Sequence, residues 1–141
     1  MNTALAVFLA LSSPTGELHP RDAVDHWAKV WMIPTVTAHR LAFAESSYNP
    51  EAVSEDDARG VLQVLDRDSK WLVSRYAPGP YNWRSASHSA RVGFGYLAGL
   101  RARFGSLRMA VTAYHMGPTA LARGETPGPR TVAYVKKILE K

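Results

Sequence analysis

Apolar residues recur at steps of three and four along most of the chain, the period of a helix with one buried face. Over Arg21 to Trp31 the stripe is Val24, Trp27, Val30 and Trp31, and over Ser89 to Phe104 it is Val92, Tyr96, Leu97, Leu100 and Phe104. Leu107 to His115 repeats the period. Val132 to Leu139 turns Val132, Val135, Ile138 and Leu139 inward and leaves Lys136 and Lys137 facing water. A further helix begins near Pro34 and is predicted to end close to Glu45. The run Ser46-Ser47-Tyr48-Asn49-Pro50 follows, and a proline biases its predecessor away from helical backbone. Asn49 to Val64 alone fails the helical test and reads as loop with up to two short strands. Pro78-Gly79-Pro80 and Thr126-Pro127-Gly128-Pro129 read as rigid surface turns. The pattern predicts a mainly α domain with one irregular or short β segment around residues 49–64, and no internal repeat.

Composition bounds this picture. With 141 residues, 46% of them hydrophobic, the chain can bury one sizeable core and is too short for two ordinary ones. The expectation is one domain over residues 20–141, preceded by an N-terminal apolar segment over residues 1–19. Within that segment Ala4 to Leu11 is too short to cross a bilayer, which takes about 20 apolar residues. Nothing basic precedes Ala4, so the run reads as a short helix packed on the domain in preference to a signal peptide. The chain has no cysteine, which excludes disulfides and thiol chemistry. The five histidines, at 19, 26, 39, 88 and 115, show no His-x-x-x-His pair or metal-ligand cluster, so neither a metal nor a cofactor is expected.

Seventeen Lys and Arg against twelve Asp and Glu leave a net charge of +5, which suits an anionic polymer as partner. Nucleic acid is the competing reading, but it calls for a basic stripe on one element. Here the basic residues are spread over Arg59, Arg75, Arg84, Arg101, Arg103, Arg108, Arg130, Lys136 and Lys137, so no nucleic-acid partner is expected.

Chemistry concentrates at Glu45. The negative end of a helix dipole and the apolar neighbours Leu41-Ala42-Phe43-Ala44 both disfavour an ionised carboxylate, as a proton donor at neutral pH requires. The ordinary alternative is a solvated surface Glu. Glycosidases usually pair such an acid with a second carboxylate. The available ones, Asp56, Asp57, Asp66 and Asp68, each read more readily as solvated charges, or for Asp66 as a helix N-cap. No second carboxylate stands out as a catalytic base or nucleophile.

Four ordered blocks resemble the soluble lytic transglycosylases. Glu45-Ser46-Ser47-Tyr48-Asn49-Pro50-Glu51-Ala52-Val53-Ser54 and then Gly60-Val61-Leu62-Gln63 are similar to that family's Glu-Ser-x-aromatic-Asn-Pro-x-Ala-Val-Ser and Gly-Leu-Met-Gln. Ala113-Tyr114-His115-Met116-Gly117-Pro118 resembles Ala-Tyr-Asn-Ala-Gly-Pro, and Thr131-Val132-Ala133-Tyr134-Val135 resembles Thr-x-x-Tyr-Val. The resemblance runs from about residue 25 to the C-terminus. It implies a lysozyme-like fold and a peptidoglycan lytic transglycosylase that forms 1,6-anhydromuramoyl ends, with Glu45 as acid and then base. It also implies that the Tyr134 hydroxyl holds the acid and that Ser54, Gly60, Leu62, Gln63, Tyr114 and His115 line the sugar.

The sequence departs from the family pattern at several positions. Leu62 stands for the usual Met, His115 for Asn, Ser89-Ala90 for Asn-Ile, and Arg130 for the Glu often found before Thr131. The alternatives within the resemblance are a hydrolysing goose-type lysozyme and a weakly active wall-binding part of a phage or secretion machine. The expected setting is the bacterial wall or periplasm. There a monomer would act on glycan strands, carried by a phage or secretion apparatus.

Overall fold

A proline at the first helical position opens α1 (Pro20–Val30), where its missing N–H is not needed, and the ring of His19 accepts the N–H of Arg21 at 3.2 Å. The computed structural model describes residues 17–140, and the apolar run Ala4 to Leu11, expected as a short helix, lies outside these. Val24, Trp27 and Val30 are buried on α1 as the stripe predicts, whereas Trp31 caps the helix and is half-buried. α2 (Thr35–Ser46) follows from Pro34, buries Thr37, Ala38, Leu41 and Ala42, and packs against α1.

The irregular stretch carries β1 (Ala58–Arg59) and β2 (Val64–Leu65), antiparallel with Ala58 opposite Leu65 and Arg59 opposite Val64. α3 (Asp66–Tyr76) corrects the reading of Asp66 as an N-cap. The cap is Leu65, and Asp66 is the first helical residue, where the Arg59 guanidinium pairs with it at 3.2 Å and the helix N-terminus favours its charge.

α4 (Ala86–Phe104) begins three residues before the apolar stripe suggested. Ser85 accepts the N–H of His88 at 3.1 Å, and Glu17 takes the Ser85 hydroxyl at 2.5 Å and the Ser87 N–H at 3.1 Å. Two of the orphan donors of the first turn, the N–H groups of Ser87 and His88, therefore have partners.

Contacts divide the chain into two compact units, one up to Gly95 and one from Tyr96. In the second, α5 (Leu107–Met116) is capped by Ser106, whose hydroxyl accepts the N–H of Met109 at 3.1 Å. It packs against α6 (Pro118–Ala122) and α7 (Pro129–Leu139). Pro129 starts α7 from within the stretch read as a turn, and Thr131, Val135 and Ile138 form its buried row. Val132, expected inward, is 45% exposed, because a row through 131, 135 and 138 puts position 132 on the flank.

Close packing in the first unit rests on Gly93. A Cβ there would lie 2.6 Å from Leu62 Cβ and 2.7 Å from its Cγ, atoms next to the Leu62 backbone that cannot swing away. Replacing a mid-helix Gly by Ala gains about 1 kcal/mol of helix propensity, and overpacking costs about 1–3 kcal/mol. Gly93→Ala should therefore lower stability in urea unfolding despite the better helix former. An equal or raised midpoint would contradict this packing.

Candidate active site

Glu45 lies in the last turn of α2, half-buried, with Leu41 and Ala42 buried on the same helix and Phe43 53% exposed. The helix stops abruptly. Ser47 and Tyr48 both take left-handed backbone, at φ 53° and 62°, the Ser47 N–H donates to Phe43 O at 2.9 Å, and the Asn49 N–H donates to Ser46 O at 3.0 Å. Ser46 carries the connection to the next segment, because its hydroxyl reaches Val61 O at 2.8 Å, closer than its own Ala42 O at 3.2 Å. The end of α2 is thereby tied to the strip that holds Gly60, Leu62 and Gln63.

That strip is fixed from several sides. Gly60 has φ +80°, and a Cβ on it would meet Trp83 O at 2.6 Å and Ser89 Oγ at 2.9 Å, so only glycine fits. Leu62 is fully buried, and its N–H donates to Ser89 Oγ at 3.1 Å. Its part in the site is therefore to hold the strip from behind, with no side-chain surface to offer a ligand. Gln63 also has left-handed backbone, φ 51°, and its side-chain amide donates to Ala52 O at 3.1 Å and Gly60 O at 3.0 Å, clamping the loop across itself. Ser54 is exposed, and its hydroxyl accepts the Ala58 N–H at 3.0 Å where the hairpin starts.

The neighbouring aspartates are engaged elsewhere. Arg59 takes Asp57 in two bonds of 2.7 and 3.0 Å and Asp66 at 3.2 Å, and Arg67 faces Asp68 at 3.7 Å.

In the second unit, two blocks that lie apart in sequence come together. His115 donates or accepts at Nδ1 with the hydroxyl of buried Thr131 at 2.9 Å, and its ring lies 4.3 Å from the Tyr134 ring. His115 is exposed, and partial loss of water around its imidazole lowers its pKa from the ordinary value, which favours the neutral ring. Tyr114, half-buried, packs its ring on Tyr96 at 5.6 Å. Ser46 as the tie to Val61 was not legible from sequence. Ser89 was visible only as a departure from the family's Asn, because its partner is 27 positions away.

Residues 22–127 match the family model described as the Transglycosylase SLT domain, a span that includes Glu45 to Val64 and Ala113 to Pro118 and leaves out Tyr134. No curated protein matches. Among solved structures, the chain resembles the 70-kDa soluble lytic transglycosylase of Escherichia coli at 24% identity and a TM-score of 0.75, covering 84% of this chain and 22% of that one. It also resembles an inactive mutant of the lytic transglycosylase Slt from Pseudomonas aeruginosa, at 20% identity and a TM-score of 0.76, with the same 84% and 22% coverage. A complex of the 70-kDa enzyme with bulgecin A gives 23% identity and a TM-score of 0.73. At these identities the likeness is one of fold, and the chain spans about a fifth of each of those proteins, 22% of their length. The family match, by contrast, takes in most of the chain and its acid-bearing segment, and this chain belongs to the Transglycosylase SLT domain family.

Proposed function

We propose that this domain is a peptidoglycan lytic transglycosylase. It cleaves the β-1,4 bond between N-acetylmuramic acid and N-acetylglucosamine, with Glu45 as the general acid and then the base. The observation that carries the reading is the placement of Glu45. It ends a helix beside the strip from Gly60 to Gln63, while Asp57, Asp66 and Asp68 each face an arginine. With those three aspartates paired to arginines, the reading favours chemistry that needs no second carboxylate.

Glu45 gives its proton to the bridging oxygen as the bond from C1 of the muramic acid breaks. The N-acetyl carbonyl of the same sugar supports the cation-like C1. The Glu45 carboxylate then takes the proton of the C6 hydroxyl while that oxygen bonds to C1. The acid is regenerated, no water is consumed, and the new end is a 1,6-anhydromuramoyl group. Tyr134 keeps the acid-holding role that its motif carries, and Ser54, Gln63, Tyr114 and His115 keep the sugar-side roles of theirs. The net charge of +5 favours encounter with an anionic wall polymer. Among the described residues no helix is long and apolar enough to cross a membrane.

Glu45→Gln keeps the shape and removes the proton. Clearing of a peptidoglycan suspension should fall by about 10²–10⁴-fold while the thermal midpoint holds or rises slightly. An active Glu45→Gln protein would remove the basis of this reading. Tyr134→Phe deletes one hydroxyl and should cost about 2- to 10-fold in rate with the fold intact, the worth of one hydrogen bond.

At His115 the folded pKa is lowered, so the unfolded chain binds the proton more tightly. The stability contribution is therefore full above the ordinary value of 6.5 and is lost as pH falls through the folded value. Thermal midpoints of His115→Asn should decline less steeply than wild type between about pH 7 and 5, where an imidazole titrates. Equal slopes would show that the partial loss of water at this exposed ring does not reach stability.

A further inference from the structure

The turn that follows Glu45 is built from two residues that rarely adopt its backbone. Ser47 and Tyr48 sit at φ 53° and 62°, and for a bulky side chain that region persists only where the surroundings over-determine it. Tyr48 is held at both ends. The Arg21 guanidinium of α1 covers its ring at 4.3 Å from the centroid, and its hydroxyl lies 2.8 Å from His39 Nδ1 and 3.2 Å from the His39 carbonyl oxygen. His39, on α2 six residues before Glu45, is bound in turn at Nε2 by Asp25 of α1 at 2.7 Å. The chain of contacts therefore runs from α1 through α2 to the turn beyond the acid.

We propose that His39, oriented by Asp25, is a positioning residue for the acid, locking Tyr48 and with it the left-handed turn that sets where the Glu45 carboxyl points. This rests on the reading of Glu45 as the acid. His39 lies outside every motif block of the family resemblance, and the mechanism does not use it.

The geometry stays connected in either protonation state of the imidazole. With His39 neutral, Nε2–H donates to Asp25 and Nδ1 accepts the Tyr48 hydroxyl. With His39 protonated, both nitrogens donate, and the Tyr48 hydroxyl turns to the His39 carbonyl 3.2 Å away. Of the other charged groups on these two helices, which also carry Asp22, Arg40 and Glu45, Arg21 covers the Tyr48 ring and Lys29 acts on Asp25. The His39 hydrogen bond holds the Asp25 carboxyl below its usual range, and burial raises the Tyr48 phenol above its own, so the carboxyl stays ionised and the hydroxyl keeps its proton.

The substitutions separate the two ends of the imidazole. The amide of Asn occupies the place of Nδ1 and that of Gln the place of Nε2. His39→Asn therefore keeps the Tyr48 contact and loses Asp25, and His39→Gln does the reverse. On uncrosslinked peptidoglycan strands, kcat should fall about tenfold or more in His39→Ala, His39→Gln and Tyr48→Phe, with KM within about twofold. This matches the steep dependence of rate on placement of the reacting group. His39→Asn should recover most of kcat. Thermal midpoints identify any variant that fails to fold. Amide hydrogen exchange at Ser47 and Asn49, whose N–H groups close the turn, should quicken about tenfold in His39→Ala and return in His39→Asn. Recovery by Gln and not Asn, or unchanged exchange at both amides, would overturn the proposal. If the wild-type protein cleaves no glycan, the transglycosylase reading fails by itself and the exchange rates alone decide the relay.

Discussion

A single buried hydroxyl governs where the irregular segment lies. Ser89, fully buried on α4, accepts the Leu62 N–H and sits against the face of Gly60 where any side chain would have to go. Without that acceptor, a buried N–H would be left unpaired at a cost of about 1–3 kcal/mol, a large share of a small unit's stability. Everything nearer the acid is placed relative to this contact. Leu62 packs on Gly93, Gln63 clamps Ala52 and Gly60, and Ser46 draws the end of α2 to Val61 O. Glu45 is the next residue along, so its position is inherited from a serine on another helix.

Electrostatics then divides the carboxylates into kinds. Arg59 holds Asp57 and Asp66 across the hairpin while lying over the Trp83 ring at 5.5 Å, so these carboxylates serve the turn. Asp25 is committed to His39. Glu45 alone sits at a helix end with apolar residues before it and a left-handed turn after it. That placement is what the proposed role of Glu45 in proton transfer draws on.

Local period was the legible part of the fold. The α1 stripe, the end of α2 near Glu45, the irregular stretch before α3, and α5 all follow from spacing and from the proline after Asn49. Where the sequence reading missed, a distant partner or a register detail decided the outcome. The start of α4 was hidden because Ala86 and Ala90 carry no strong apolar signal and the cap comes from Glu17, nearly seventy positions away, at |i−j| 68 and 70. Val132 turned outward because Pro129 set the helix start and gave the buried row to Thr131. Asp66 resembled a cap but is held as an ion-pair partner inside the first turn. The site was legible as motif blocks, but the structure gives Gly60, Leu62 and Gln63 packing duties that a motif cannot distinguish from sugar contact. His39 and Asp25, fourteen positions apart, left no sequence signal at all.

In the proposed reaction one carboxyl, without a second, drives internal attack by the sugar's own hydroxyl. Digestion of peptidoglycan in heavy-oxygen water, followed by mass spectrometry of the muropeptides, tests it most directly. Internal attack yields anhydromuramoyl ends that carry no label. Reducing ends bearing the heavy oxygen would contradict it and would make water the nucleophile.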